Sequence, residues 1–289
     1  MSKPSAVETR VITLKTEIAA QGDEVWRALT DARELMRWFP LEAEVQPGAG
    51  GSMRLSWGDP VVAEWRITDW RPGVRLEVSE MRPLGILLQP RDEVAPTRKV
   101  EFELDALGGT TRLRLRHVGF GAGAGWDEVF HAVRRGWEFQ LCSLRHYLDR
   151  HVGTDRMVAR KRHSLALSAE QAWSRLIGAG GLFRTRATET GSRCELRIGS
   201  DTYGAKIEVF DPPRQLAVVL AGMKDAMFRI YIVETAADKV ELSSWLASYG
   251  VSGPDVEAFE SRLTGMLNGL LFPPLPSQGA AAAVQGNRS

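Results

Sequence analysis

The stretch that most constrains this chain runs from Trp126 to Val152. Val129, Phe130, Val133, Trp137, Leu141, Leu144 and Leu148 fall on the i, i+3, i+4, i+7 stripe of a long amphipathic helix. Arg134, Arg135, Glu138, Arg145 and Asp149 occupy the opposite face, as a solvated surface requires. Gly136 lies mid-helix at a cost of roughly 1 kcal/mol relative to Ala, so it is expected either to admit a close neighbour or to bend the helix. A helix with one apolar face needs a surface to cover. The residues before it read as short strands able to wrap around it.

Residues Val11 to Ile18 alternate as a first strand. Asp23–Leu29 and Ala32–Phe39 have helical spacing, and Pro40 stops the second helix. Strands follow at Ser52–Trp57, Val61–Trp70, Val74–Met81, Lys99–Ala106 and Thr110–Val118, punctuated by turn chemistry such as Arg71-Pro72-Gly73 and Gly108-Gly109. Arg82 to Arg98 reads as a loop. The order strand, two helices, antiparallel strands, long helix is an α+β helix-grip plan: a curved sheet cannot bury its concave face alone, and the terminal helix covers it.

The motifs themselves carry a resemblance. Glu24-Val25-Trp26-Arg27-Ala28-Leu29-Thr30-Asp31, Trp38-Phe39, Pro47-Gly48-Ala49-Gly50-Gly51, Ile67-Thr68-Asp69, Gly109-Thr110-Thr111, His117-Val118-Gly119-Phe120 and Gly136-Trp137 fall in order. Over about residues 10 to 152 this resembles the START-like (SRPBCC) superfamily, specifically homologues of the C-terminal domain of the heat-shock-protein-90 ATPase activator. The resemblance implies a helix-grip fold around an apolar cavity. It implies no particular reaction, because the superfamily includes carriers, cyclases, lyases and co-chaperones.

The plan restarts after Asp155. Arg162–Leu167 is strand-like, and Ser168-Ala169-Glu170-Gln171 has the form of a capping box. Ala172-Trp173-Ser174-Arg175-Leu176 echoes Val25-Trp26-Arg27-Ala28-Leu29. The run from Ala205 echoes the run from Ala63, which sets Ile207 and Val209 against Trp65 and Ile67. Strands at Gln215–Leu220, Met227–Glu234 and Lys239–Ser248 lead to a last helix, Pro254–Leu271. The expectation is two tandem helix-grip domains, residues 10–152 and 153–272, followed by a disordered tail, 273–289. Gly178 to Gly181 stands in place of the Trp38-Phe39 helix, so any second pocket should be open or filled in.

Composition narrows the function. At 289 residues, two domains are the better prior, and 44% hydrophobic with 25% charged residues describes an ordinary globular protein. A net charge of +1 gives no nucleic-acid footprint. Two cysteines without CxxC spacing, a beginning without an apolar core and the lack of a spanning apolar run predict a cytoplasmic protein with no membrane insertion.

Most catalytic and metal chemistry finds no support in the residues. His146 and His151, five apart, should not share a helix face as i, i+4 ligands would, so no metal site is expected. Gly119 to Gly125 resembles a dinucleotide loop, but the third glycine of GxGxxG would fall at Trp126; a mobile lip at the cavity mouth is the preferred reading. Ser56, Ser79, Cys142 and Cys194 lack a nucleophile setting, and the basic run Arg156, Arg160, Lys161, Arg162, His163 reads as a solvated linker. No catalytic residue and no cofactor are assigned.

What remains is a candidate lining: Trp38, Phe39, Trp57, Trp65, Phe102, His117, Phe120, Trp126, Trp137 and Leu141. With nine tryptophans in the chain, a roomy aromatic pocket is credible. His117 shares strand parity with Leu113 and Leu115 and should point inward. Its default role is a core histidine bonded to backbone; its functional role would be a polar handle on a ligand, or a general acid/base. No carboxylate partner is evident, since Glu101, Glu103 and Asp105 share the outward parity. The expected function is a non-catalytic module holding an apolar or amphipathic small molecule in the first domain. The alternatives are a chaperone-contacting adaptor and a cyclase or dehydratase using His117.

Overall fold

A computed structural model describes residues 9–58, 60–82, 97–177, 180–184, 189–236 and 238–272. The chain forms two compact units, Met1–Arg156 and Met157–Ser289. Most of the expected Arg82–Arg98 loop and the tail after Phe272 lie outside the described residues.

The first unit contains β1 (Thr9–Ile18), α1 (Gly22–Thr30), α2 (Ala32–Trp38), β2 (Glu42–Gln46), β3 (Ser52–Ser56), β4 (Val62–Arg71), β5 (Arg75–Arg82), β6 (Lys99–Leu107), β7 (Thr110–Gly121) and α3 (Asp127–Arg150). The strands form one antiparallel sheet in the order β1-β7-β6-β5-β4-β3-β2. The second unit contains β8 (Arg156–Leu165), α4 (Ala169–Leu176), β9 (Phe183–Arg184), β10 (Arg193–Ile198), β11 (Asp201–Asp211), β12 (Gln215–Leu220), β13 (Ala226–Ala236), β14 (Lys239–Tyr249) and α5 (Gly253–Leu271), with sheet order β8-β14-β13-β12-β11-β10-β9. The two orders are the same topology, each sheet having its long helix last in the chain. This is the tandem helix-grip architecture expected of the sequence.

Local chemistry sets the helix ends. Asp31 caps α2, accepting from the Glu34 N–H at 3.0 Å, and Phe39 ends the helix ahead of Pro40. The Ser168–Gln171 capping box forms as read: each side chain satisfies the other's backbone donor, at 3.2 and 3.0 Å.

Three readings need correction. The basic run from Arg156 is not a linker but strand β8; Lys161 pairs with Glu260 at 3.1 Å, and Arg162 approaches Glu241 at 3.7 Å. Charge along an edge strand discourages pairing with other chains, so the same residues that suggested a linker suit a sheet edge. Strands β2, β9 and β10 were not anticipated, being short and weakly patterned. Gly136 neither admits a close neighbour nor shows a contact that would demand glycine, since an added Cβ would meet nothing within 4 Å.

The repeat also has a different register from its sequence echo. Ile67 exchanges backbone hydrogen bonds with Gly50 and Gly51, and Ile207 does so with Gly191 and Ser192. Bulges fall at Ile67/Asp69 and at Ile207/Val209. The Trp26–Trp70 ring contact recurs as Trp173–Phe210. Ile207 therefore matches Ile67, and the counterpart of Trp65 is Ala205.

Candidate functional site

The site is assembled on the inward face of the first sheet. Period-two alternation aims Trp65 and Ile67 of β4, Leu76 and Val78 of β5, Val100 and Phe102 of β6, and Leu113 and Leu115 of β7 to one side, all buried. Trp137, Leu141, Leu144 and Leu148 of α3 are buried with them. Helix α2 brings in Trp38 and Phe39. The Trp38 indole N–H donates to the Ala28 carbonyl at 2.8 Å, and the Ser143 hydroxyl donates to the Trp38 carbonyl at 3.0 Å, which ties α1, α2 and α3 together.

Most of the ten candidate residues form one run of rings. Half-buried Trp57 meets Phe39 edge-on with centroids 4.9 Å apart; Phe39 lies 5.5 Å from Trp137 and 6.4 Å from Trp65; Trp137 meets Phe102 at 5.8 Å. Trp38 stacks on Phe39 at 4.8 Å. His117 meets Phe120 at 4.8 Å, and Phe120 meets Trp126 at 6.3 Å. Trp126 packs with Ile12, Phe120 and Val129 in a cluster of its own.

His117 points inward as expected, but its partners differ from those expected. Its Nδ1 accepts from the Trp137 indole N–H at 2.9 Å, not from backbone. Because an acceptor nitrogen carries no proton, neutral His117 must hold its proton on Nε2. That Nε2 is buried and has no hydrogen-bond partner among the described residues. It faces Glu80 Oε1 at 3.7 Å, beyond hydrogen-bond reach. The second Glu80 oxygen accepts from Arg98 Nε at 2.8 Å.

So a carboxylate does face His117, from β5 rather than β6. Glu80 shares parity with Leu76 and Val78, and Arg98 shares parity with Val100 and Phe102. Alternation alone could have flagged both. The expected outward carboxylates do face away: Glu101 pairs with Arg75 at 3.0 Å and Arg116 at 3.3 Å, and Glu103 pairs with Arg75 at 3.1 Å and with Arg114.

Burial dominates the electrostatics. Desolvation, reinforced by the Arg98 charge, pushes His117 down to about 3, so the ring is neutral near pH 7. Burial raises the Glu80 carboxyl, and Arg98 opposes that rise. Arg98 is itself buried, at 3% exposure. A neutral donor, an acceptor and a fixed cation thus sit at the inner end of an otherwise aromatic interior.

The glycine run serves approach rather than motion at its start. Gly119 to Gly121 belong to β7, and Gly121 pairs with Thr9 of β1. Gly119 has φ +96°, and a Cβ there would come within 2.7 Å of the Thr97 carbonyl, so glycine lets β7 lie against the segment carrying Arg98. A Cβ on Gly121 would lie 2.4 Å from Trp126 Nε1.

Other candidates remain apart from this site. The His146 and His151 rings lie 5.0 Å apart, closer than their spacing suggests, because α3 ends at Arg150 and the chain turns at His151. Among the described residues, no group of three or more His, Cys, Asp or Glu side chains is placed to hold a metal ion. Burial raises the Cys194 thiol to about 11. No described helix is long and apolar enough to cross a membrane.

Comparison with known proteins places the first unit. No curated protein matches the chain. Among solved structures, protein MLL2253 from Mesorhizobium loti shares 22% identity with a TM-score of 0.42, covering 49% of this chain and 98% of that one. The Aha1 dimer from Colwellia psychrerythraea shares 15% identity with a TM-score of 0.42, covering 50% and 99%. The di-domain ARO/CYC BexL from the BE-7585A biosynthetic pathway shares 14% identity with a TM-score of 0.43, covering 91% and 97%. Residues 19–149, within the first unit, match the family model described as Activator of Hsp90 ATPase homolog 1-like protein.

Proposed function

We propose that the first unit binds an apolar or amphipathic small molecule in the aromatic interior between its sheet and α3. The observation that carries this reading is the run of rings from half-buried Trp57 to His117, ending on a buried nitrogen without a hydrogen-bond partner among the described residues. Apolar area supplies affinity in such a site, and a few polar groups fix orientation. The lining is Trp38, Phe39, Trp57, Trp65, Phe102, His117, Phe120, Trp126, Trp137 and Leu141, now joined by Glu80 and Arg98. Native mass spectrometry of the protein purified from its own cells tests the reading. A mass above that of the bare chain, released on denaturation, supports it; a bare mass with no uptake from a lipid and aromatic panel overturns it.

Binding and turnover are separable. A cyclase or dehydratase role would use His117 with Glu80, and loss of turnover of a bound molecule in His117→Ala would establish it. The family description supports a second reading, an adaptor that contacts a chaperone of the heat-shock-protein-90 type. Pull-down with that chaperone from the same cell, with ATPase measured, tests it; no enrichment and no rate change would dispose of it. A cytoplasmic location is part of both readings.

A further inference from the structure

We propose that His117 Nε2 and Glu80 Oε1 together form a subsite for a hydroxyl group carried by an aromatic or otherwise apolar molecule, its oxygen lying beside the line that joins them. The inference rests on the ligand-binding reading above and adds the chemistry of the ligand. Trp137 is the positioning residue: by donating to Nδ1 it leaves His117 only a donor, Nε2–H, for anything else. Arg98 occupies one oxygen of Glu80 and aims the other at His117. A donor and an acceptor 3.7 Å apart are too far to bond each other directly. An oxygen at about 2.8 Å from each would accept from His117 and donate to Glu80.

A hydroxyl does both, as a water molecule would. A carboxylate cannot donate, and it sets a second negative charge beside Glu80. An ether or ketone satisfies His117 and leaves Glu80 Oε1 unpaired. An ammonium satisfies Glu80 and leaves His117 unpaired. A buried site built to bond a hydroxyl discriminates strongly against analogues lacking it, because its own polar groups are then stranded.

The second unit serves as a comparison. Its counterparts of Trp65, Glu80 and His117 in sheet register are Ala205, Leu220 and Leu246. The same topology there has no polar group at these positions.

The experiment titrates the full chain with 2-naphthol, 2-methoxynaphthalene, naphthalene and 2-naphthoate by equilibrium dialysis. It is paired with nitrogen NMR of 15N-histidine-labelled protein. The expected result is that 2-naphthol binds about tenfold or more tighter than the other three and shifts the His117 Nε2 resonance, which starts at a protonated-nitrogen position. The double variant Glu80→Leu with Arg98→Leu, which removes both members of this ion pair, should bind naphthalene and lose the preference for 2-naphthol. Should that variant fail to fold, the wild-type ranking and the nitrogen shift decide. Equal binding of 2-naphthol, its methyl ether and naphthalene overturns the hydroxyl subsite while leaving ligand binding intact. Binding of none of the four overturns the hydroxyl subsite, and ligand binding is then decided by the native mass and the lipid panel.

Discussion

Leu220 occupies in the second sheet the register position that Glu80 holds in the first. Glu80 lies opposite Trp65, and Leu220 lies opposite Ala205. Two strand pairings further on, His117 lies opposite Val100, and Leu246 lies opposite Phe228. The second interior is instead filled by Phe183, Phe228 and Phe259, whose rings lie 5.6 to 6.1 Å apart in sequence of contact. One topology thus carries a polar inner end in the first unit and an apolar one in the second.

Ligand capacity should follow that difference. Trp137→Ala should weaken binding and cost about 3–5 kcal/mol of first-unit stability, because it removes a buried ring and the donor to His117. Trp173→Ala removes the ring that meets Phe210 and should destabilise the second unit with affinity unaltered. Titration and thermal unfolding of both variants check this. Binding by an isolated second unit but not by an isolated first would contradict it.

The Arg98–Glu80 pair should show the asymmetry of buried ion pairs. Glu80→Leu alone removes a carboxylate that accepts from the Arg98 guanidinium, 3% exposed, and should cost about 3–5 kcal/mol. Adding Arg98→Leu should recover much of that loss, since two apolar side chains replace two desolvated charges. Urea unfolding of the single and double variants makes the comparison. A double variant less stable than Glu80→Leu would refute it.

The architecture was legible because the strong signals are periodic. The α3 stripe, the alternating long strands, the capping box at Ser168 and the echo of Trp26 in Trp173 all come from residues whose spacing fixes their face. Register was not legible. Matching Ala205 to Ala63 set the repeat two residues off, which put Ile207 rather than Ala205 opposite Trp65, because the backbone bonds at Gly50 and Gly191 that settle the alignment leave no side-chain signature. Glu80 escapes the pattern for a related reason: the acids of β6, the strand beside His117, face outward, while the inward acid lies one strand further away. The edge strand β8 was hidden by the positive charge that suits an edge.

Gly136→Ala should stabilise the first unit. The glycine sits inside α3 with negative φ, and an added Cβ meets nothing within 4 Å, so alanine gains helix propensity without a clash. A gain of about 0.5–1 kcal/mol is expected, read as a rise in urea midpoint. A loss would mean that glycine at 136 is needed for bending or for a partner's approach. Gly121→Ala provides the opposite control, because its Cβ would lie 2.4 Å from Trp126 Nε1 and should destabilise.

Stability should fall on acidification through the range where His117 titrates. Folded His117 takes its proton near pH 3, whereas the unfolded side chain takes it near 6.5. Between these values the unfolded chain binds the extra proton, so the contribution is fully present above pH 6.5 and is lost as pH falls towards 3. Glu80 and Glu101 act in the opposite sense: their carboxyls are raised by burial, so their contribution favours the folded state at low pH and shrinks as pH rises through the raised values. Glu77 and Glu103 are lowered and lose theirs as pH falls. His163 in the second unit is lowered as His117 is, and shares its sign. His117→Gln isolates the one group while keeping a side-chain acceptor for Trp137. Between pH 7 and 4.5 wild type should lose roughly 2–3 kcal/mol more than the variant, about two pH units of a single proton. Parallel losses in urea unfolding at pH 7, 6, 5 and 4.5 would show that His117 is not held neutral, and with it the donor assigned to Nε2 would fall.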